Sequence, residues 1–114
     1  MSSAASQEAP NPQLVWDTIN AYQRTSALRA AIELDLFTAI GPEDITAEHL
    51  ANKCTASPRG IRILCDYLTV LGFLRKQAGT YCLTPTSSAF LDGRSPACMA
   101  SMIQFMNSSK LLSS

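Results

Sequence analysis

The sequence predicts a mainly α-helical fold built around a winged helix-turn-helix. Three observations support this fold class. Two apolar stretches at helical spacing each begin with a capping residue followed by proline, at Asn11-Pro12 and Ser57-Pro58. A short helix precedes the second stretch, and a turn at Ala78-Gly79 then joins two short strands that form the wing. We therefore expect a winged helix-turn-helix with a small two-stranded β-hairpin and extra N- and C-terminal helices.

The N-terminal region divides into a tail and a long helical stretch. Residues 1–10 are small and polar, which is typical of a disordered tail. After Pro12, no glycine or proline occurs before Gly41, and apolar residues recur at helical spacing. Polar residues 23–26 indicate a bend between two helices. The second of these helices, residues 27–36, carries several alanines, which let helix axes approach closely.

The helix-turn-helix and its wing follow a break at Gly41-Pro42. The short helix is predicted over residues 46–54, the helix in the recognition position over 57–71, and the wing over 73–84. The helix in the recognition position carries a second apolar stripe beside its core face. Because burying such side chains is worth about 1.5–3 kcal/mol each, we expect another helix to cover the stripe. Its members are Ile63, Tyr67 and Val70.

Two more helical segments are predicted beyond the wing. One turn of helix is expected around residues 89–91, and a final helix is expected to start at Ser95-Pro96 and run through Met106. Residues 95–109 carry no charge. This run is too short to span a bilayer, so we expect no membrane segment here and a helix that packs against protein.

Composition limits the classes of function. The length of 114 residues corresponds to one domain, and its nine basic and nine acidic residues cancel. Charged residues make up 16% of the chain, against about 25% in typical soluble proteins. So low a fraction indicates that another chain covers part of the surface.

DNA binding is the alternative that the predicted fold leaves open, as in a winged-helix transcriptional regulator. Residues 57–84 carry four basic residues and one acidic residue, which favours this alternative. However, the helix in the recognition position presents Asp66 and apolar side chains where a reading helix carries groups that reach base edges.

Residues that carry chemistry are few. The five glycines form no GxG motif, the only histidine is His49, and no CxxC pair suggests a zinc site. We therefore predict no catalytic, cofactor-binding or metal-binding residue. Because no secretory signal opens the sequence, we expect a cytoplasmic protein with reduced, mostly buried thiols. These are Cys54, Cys65, Cys82 and Cys98.

Four runs of sequence, in their order and spacing, resemble a known family. They are residues 31–37, 45–51, 64–74 and 79–84. Together they look like the N-terminal dimerisation domain of S-adenosylmethionine-dependent small-molecule O-methyltransferases, over about residues 14–106. Asp35 stands where such domains often have glycine, a difference that the local turn tolerates.

The resemblance implies a non-catalytic module whose helices interlock with those of a second subunit in an intertwined homodimer. Residues 11–114 would form this domain, as a fragment of a longer enzyme. The active site would lie in a Rossmann-like domain that is absent here. S-adenosylmethionine and a small-molecule acceptor would therefore bind the full-length enzyme, whereas we expect this fragment to bind neither cofactor nor nucleic acid and to lack catalytic activity.

Two sets of residues are predicted to form functional surfaces. The first is a dimer interface, because a helix that projects from a winged helix has little of its own domain to pack on. The second is an apolar wall of the acceptor pocket, which the family resemblance implies for the final helix, with a core or interface role as the alternative. The interface set is Leu14, Trp16, Ile19, Tyr22, Ala27, Leu28, Ala31 and Ile32, and the wall set is Met102, Phe105 and Met106.

Overall fold

The computed structural model describes residues 9–106, except the side chains of Gln104 and Met106. Most of the predicted tail, residues 1–8, and the last eight residues of the predicted domain, 107–114, lie outside the described part. The helix-turn-helix, the hairpin and the flanking helices follow one another in the predicted order, so the mainly α-helical, winged-helix class is confirmed. The elements are α1 (Pro12–Glu33), α2 (Leu36–Ile40), β1 (Ile45–Thr46), α3 (Ala47–Cys54), α4 (Pro58–Leu71), β2 (Leu74–Gln77), β3 (Thr80–Leu83), α5 (Pro85–Phe90) and α6 (Ala100–Met106).

The capping residues act as the sequence predicts. The side chain of Asn11 accepts a hydrogen bond from the backbone N–H of Gln13 at 3.0 Å, and Ser57 accepts one from Gly60 at 2.9 Å. Each thereby satisfies an N–H group that has no partner within its own helix. Helix α4 ends at Gly72, whose φ of 98° lies in the left-handed region that glycine adopts without strain.

The bend predicted at residues 23–26 is wrong, because α1 continues through them without interruption. Gln23, Arg24 and Thr25 are exposed on the surface of α1, where polar side chains do not disturb the helix. The chain breaks instead after Leu34, where Asp35 adopts a left-handed φ of 57°.

The predicted hairpin is confirmed, and the structure adds a third strand. The order is β1-β3-β2 and both pairs are antiparallel, with Leu74 opposite Leu83 and Ile45 opposite Tyr81. The turn between β2 and β3 has positive φ at both Ala78 and Gly79, which matches the twist of a two-residue hairpin. Strand β1 pairs with β3 and directly precedes α3, so the sheet is connected to the start of that helix.

The final helix begins later than predicted. An irregular turn occupies the residues after Leu91, and α6 starts at Ala100 rather than at Ser95-Pro96. The Ser95 hydroxyl donates to the carbonyl of Ala89 at 2.6 Å and accepts from the backbone N–H of Ala97 at 3.3 Å, within this turn. The guanidinium of Arg94 donates to the carbonyl of Thr38 at 2.7 Å, which ties this turn to the end of α2.

The core lies between the C-terminal half of α1, helices α2 to α4 and the sheet. Phe37 meets Phe73 edge to face, with ring centroids 6.4 Å apart. Cys65 is fully buried at its centre, and burial raises the pKa of this thiol to about 12. The other fully buried large side chains are Leu36, Leu50, Ile61, Leu68 and Tyr81.

Candidate dimer interface

Helix α1 extends beyond the domain that it belongs to. Its 22 residues correspond to a length of about 33 Å. The C-terminal half packs on the core through Ala31 and Ile32, whereas every residue from Asn11 to Thr25 is exposed. The radius of gyration is 17.3 Å, against about 13 Å for a compact domain of 100 residues. The N-terminal half of α1 therefore projects into solvent.

The projecting half is apolar over much of its circumference. Five large apolar side chains are 41–73% exposed there: Leu14, Val15, Trp16, Ile19 and Tyr22. At about 100° per residue, they cover an arc of roughly 200°. The rest of the circumference carries a polar strip formed by Gln13, Asp17, Asn20 and Arg24. A contiguous exposed apolar surface that covers more than half of a helix's circumference marks an interaction site.

An open apolar groove of about 430 Å³ lies beside the C-terminal half of α1. Helices α1 and α4 form its two sides. On the α4 side, Ile63 is 62% exposed, and Val70, on the same face, is 80% exposed. Within residues 9–106, no helix fully covers this second stripe. The lining residues are Tyr22, Gln23, Ser26, Ala27, Gly60, Ile63, Leu64 and Tyr67.

The eight residues predicted for the interface fall into three environments. Leu14, Trp16, Ile19 and Tyr22 are exposed, and Ala27 and Leu28 are half-buried. Ala31 and Ile32 lie in the core of their own chain, with 0% and 6% of their surface exposed. Those two side chains therefore have little surface left for a partner. The other six keep exposed or partly exposed surface, and their place in a dimer interface stays a prediction.

Val15 and Gly60 belong to these surfaces but were not predicted as interface residues. The spacing of Val15 and Ile19, four residues apart on one helix, is a signal that could have identified Val15. Gly60 could not have been found in this way, because it carries no side chain and contributes only space to the groove.

Charged side chains around α4 pair with one another. The Tyr81 hydroxyl donates to Asp66 at 2.5 Å, and the Lys76 ammonium donates to the same carboxylate at 2.9 Å. These two hydrogen bonds hold the pKa of Asp66 below its usual value. Arg62 pairs with Glu48 at 2.7 Å. Two of the four basic residues in 57–84 are therefore engaged in ion pairs, which leaves little of the positive surface that DNA binding requires.

Helix α6 carries a second exposed apolar face. Ile103 and Ala100 are half-buried against the core, while Met102 and Phe105 are 52% and 66% exposed. Met106 ends the helix, but its side chain lies outside the described part. Two of the three residues predicted for an acceptor wall thus present apolar surface.

Among residues 9–106, no three His, Cys, Asp or Glu side chains come close enough to hold a metal ion. His49 is exposed on α3, where its backbone N–H donates to the capping Thr46 hydroxyl at 3.2 Å. In the same part of the chain, no helix has both the length and the apolar character needed to cross a membrane.

The fold and its two exposed apolar faces define a helical association module of winged-helix architecture. The model of the O-methyltransferase dimerisation domain matches residues 16–93 of the chain. The chain therefore belongs to this family, and the resemblance found in the sequence is confirmed.

Methyltransferases from a bacterium and a mammal are similar to this chain in sequence. The tetracenomycin polyketide synthesis 8-O-methyl transferase of Streptomyces glaucescens is 35% identical over 77 residues, which are 67% of this chain and 23% of that protein. The acetylserotonin O-methyltransferase of Mus musculus is 30% identical over 112 residues, which are 91% of this chain and 28% of that protein.

Solved structures agree with the sequence comparison. A candidate O-methyltransferase of Nostoc punctiforme superposes with a TM-score of 0.80 at 47% identity, over 88% of this chain and 30% of that one. Human N-acetylserotonin methyltransferase, solved in complex with S-adenosylmethionine, gives 0.78 at 27% identity, over 97% and 33%. This chain thus spans about a quarter to a third of the length of its relatives.

Proposed function

We propose that this chain holds together two subunits of an S-adenosylmethionine-dependent O-methyltransferase that acts on a small hydroxyl-bearing molecule. The observation that carries the proposal is the apolar, projecting half of α1 in a member of the dimerisation domain family. A second copy of the chain is a partner that would cover this surface. The relatives named above support the choice of methyl transfer as the activity of the whole enzyme.

Cofactor binding is assigned to the part of the enzyme outside this chain. The glycine-rich loop that binds such a cofactor is absent from this sequence. The human relative was solved with S-adenosylmethionine as a chain about three times as long.

The exposed face of α6 is proposed to contribute to the acceptor pocket of the whole enzyme. Met102 and Phe105 present flexible and aromatic apolar surface, which suits a wall that accommodates a small organic molecule. Met106 follows on the same helix and joins them in this proposal.

Light scattering of the 114-residue chain tests the dimer. We expect a mass of twice 12.3 kDa at micromolar concentration. A stable monomer would contradict the proposal. Calorimetric titration of the same sample with S-adenosylmethionine should give no binding heat, and micromolar affinity would overturn the assignment of the cofactor to the rest of the enzyme.

The acceptor wall is tested in the enzyme that carries this domain. Replacing Met102 or Phe105 by Ala should raise KM for the methyl acceptor and leave S-adenosylmethionine affinity unchanged. Ser101→Ala, on an exposed position of the same helix, is the matched control. An unchanged KM in both wall variants would assign this face of α6 to packing alone.

A further inference from the structure

We propose that two copies of this chain associate through an antiparallel pair of α1 helices, so that the N-terminal half of each α1 lies in the groove of the other copy. This inference rests on the homodimer proposed above and adds to it a register, a symmetry axis and a pair of facing residues.

The register follows from the spacing on α1. Val15, Ile19, Tyr22 and Ser26 follow one another at intervals of four, three and four residues, which is the spacing of a coiled-coil seam. This set is symmetric about the midpoint between Asn20 and Ala21. In an antiparallel pair with its twofold axis at that midpoint, Val15 lies opposite Ser26 of the second copy, and Ile19 lies opposite Tyr22. The same surface then serves both copies, as a twofold interface requires.

The groove lies where this register needs it. Tyr22 and Ser26 form the second half of the seam and also line the groove. Small residues on both of its sides, Ala27 on α1 and Gly60 on α4, leave room for a helix to approach. In the proposed register, Val15 and Ile19 of the second copy lie at this level, next to the exposed Ile63.

The area and the charges are consistent with a stable dimer. The five apolar side chains of α1 and Ile63 are 41–73% exposed. Each Å² of this apolar surface that a second copy removes from water contributes about 25 cal/mol to association. The polar strip of α1, with Asp17 and Arg24, faces away from the seam. Charged side chains therefore stay in water, and no unpaired charge is buried.

Cysteine crosslinking tests the register. A chain with Val15→Cys is mixed with a chain carrying Ser26→Cys, and the mixture is oxidised after subunit exchange. We expect several-fold more covalent dimer in the mixture than in either variant alone. In the antiparallel pair, two identical positions lie about 16 Å apart along the helices, which is beyond the roughly 7 Å that a disulfide spans.

The possible results of these experiments distinguish an error in the proposed register from an error in the proposed dimer. Crosslinking of a single variant with itself would indicate a parallel pair, and a dimer without any crosslink would place the interface elsewhere; both overturn the inference. A monomeric unsubstituted chain in light scattering would instead contradict the proposed function. If only the cysteine variants are monomeric, Ile19→Cys mixed with Tyr22→Cys tests the same register. Identical positions then lie only about 5 Å apart along the helices, so the mixed crosslink has to exceed the self-crosslink of either variant. The oxidised unsubstituted chain controls for the four native cysteines.

Discussion

The two halves of helix α1 have similar apolar content and opposite environments. In the C-terminal half, Ala31 and Ile32 are buried against helices of the same chain. In the N-terminal half, Trp16 and Ile19 have no part of residues 9–106 that covers them and remain largely exposed. The comparison shows that apolar periodicity predicts which face of a helix is to be buried. Whether the same chain or a second chain covers that face depends on where the other elements of the fold lie.

The two halves should respond differently to the same kind of substitution. In the C-terminal half, a charge enters a closed core and the chain must unfold to hydrate it. In the N-terminal half, a charge enters a surface that is already in water in the single chain, so only association should suffer. The first two of the five substitutions below test this difference directly, and the order runs from the largest expected effect to the smallest.

Ala31→Asp is expected to have the largest effect. Ala31 is completely buried, so the new carboxylate would be desolvated without a partner, at a cost of more than about 4 kcal/mol. We expect loss of the cooperative thermal transition in far-UV circular dichroism. Ala30→Asp, on the adjacent half-buried position, is the control and should retain a transition. A native-like melting curve for Ala31→Asp would mean that this side chain lies at a surface.

Ile19→Asp is expected to separate folding from association. The side chain is exposed in the single chain, so the circular dichroism spectrum should stay unchanged. We expect the dimer to weaken by at least about 30-fold, which corresponds to about 2 kcal/mol. Analytical ultracentrifugation over a concentration series measures this change. Asn20→Asp introduces the same charge on the polar strip and should leave the dissociation constant unchanged; equal weakening by both variants would contradict the placement of the seam.

Tyr81→Phe is expected to loosen the contact between the sheet and α4 without dissociating the dimer. It removes the hydroxyl that donates to Asp66 at 2.5 Å. The cost should be about 1 kcal/mol, since the Asp66 carboxylate is partly hydrated. Urea unfolding monitored by fluorescence measures it, and an unchanged midpoint would show that this hydrogen bond contributes nothing.

The contribution of Asp66 should depend on pH in one direction. Its pKa in the folded chain lies below the usual 3.8 because Tyr81 and Lys76 donate to the carboxylate. The stability that ionised Asp66 contributes is therefore present above about pH 4 and is lost as the pH falls through the folded pKa. The difference in the free energy of unfolding between the unsubstituted chain and Asp66→Asn should therefore shrink as the pH falls from about 4 through the folded pKa of Asp66.

Arg29→Ala is expected to have the smallest effect. Arg29 pairs with Glu33 one turn along α1 at 3.3 Å, and both side chains are about half exposed. Such a pair contributes less than about 0.5 kcal/mol, and salt screens it further. Thermal melts at low and high salt should therefore agree closely with those of the unsubstituted chain. A loss of more than about 1 kcal/mol would mean that the arginine also packs through its aliphatic stem.

Local signals in the sequence were sufficient for most of the fold. Helix caps, helix ends and tight turns depend on groups only a few residues apart, so they can be predicted without tertiary information. Examples are the caps at Asn11 and Ser57, the helix end at Gly72 and the turn at Ala78-Gly79. Strand β1 could not be predicted in this way. It has two residues and exists only because Ile45 pairs with Tyr81, which is distant in the sequence.

The errors also have physical causes. The signal at Ser95-Pro96 resembled a helix start, and the Ser95 hydroxyl does accept from the backbone N–H of Ala97 at 3.3 Å, but only an irregular turn follows before the helix begins at Ala100. The association surface was predictable in kind from the low charge of the chain and from the apolar residues of α1. The division between Ile19, which is exposed, and Ile32, which is buried, was not predictable, because both residues satisfy the same helical spacing.

The buried thiol of Cys65 can serve as a native probe for the unfolding of the chain. Only a thiolate reacts quickly with alkylating reagents, and a thiol that is fully enclosed, with a pKa of about 12, offers almost none near neutral pH. Alkylation of Cys65 must then wait for the core to open, so its rate measures how often that happens. Mass spectrometry of alkylation at this one site would therefore time the opening of the core without a substituted residue.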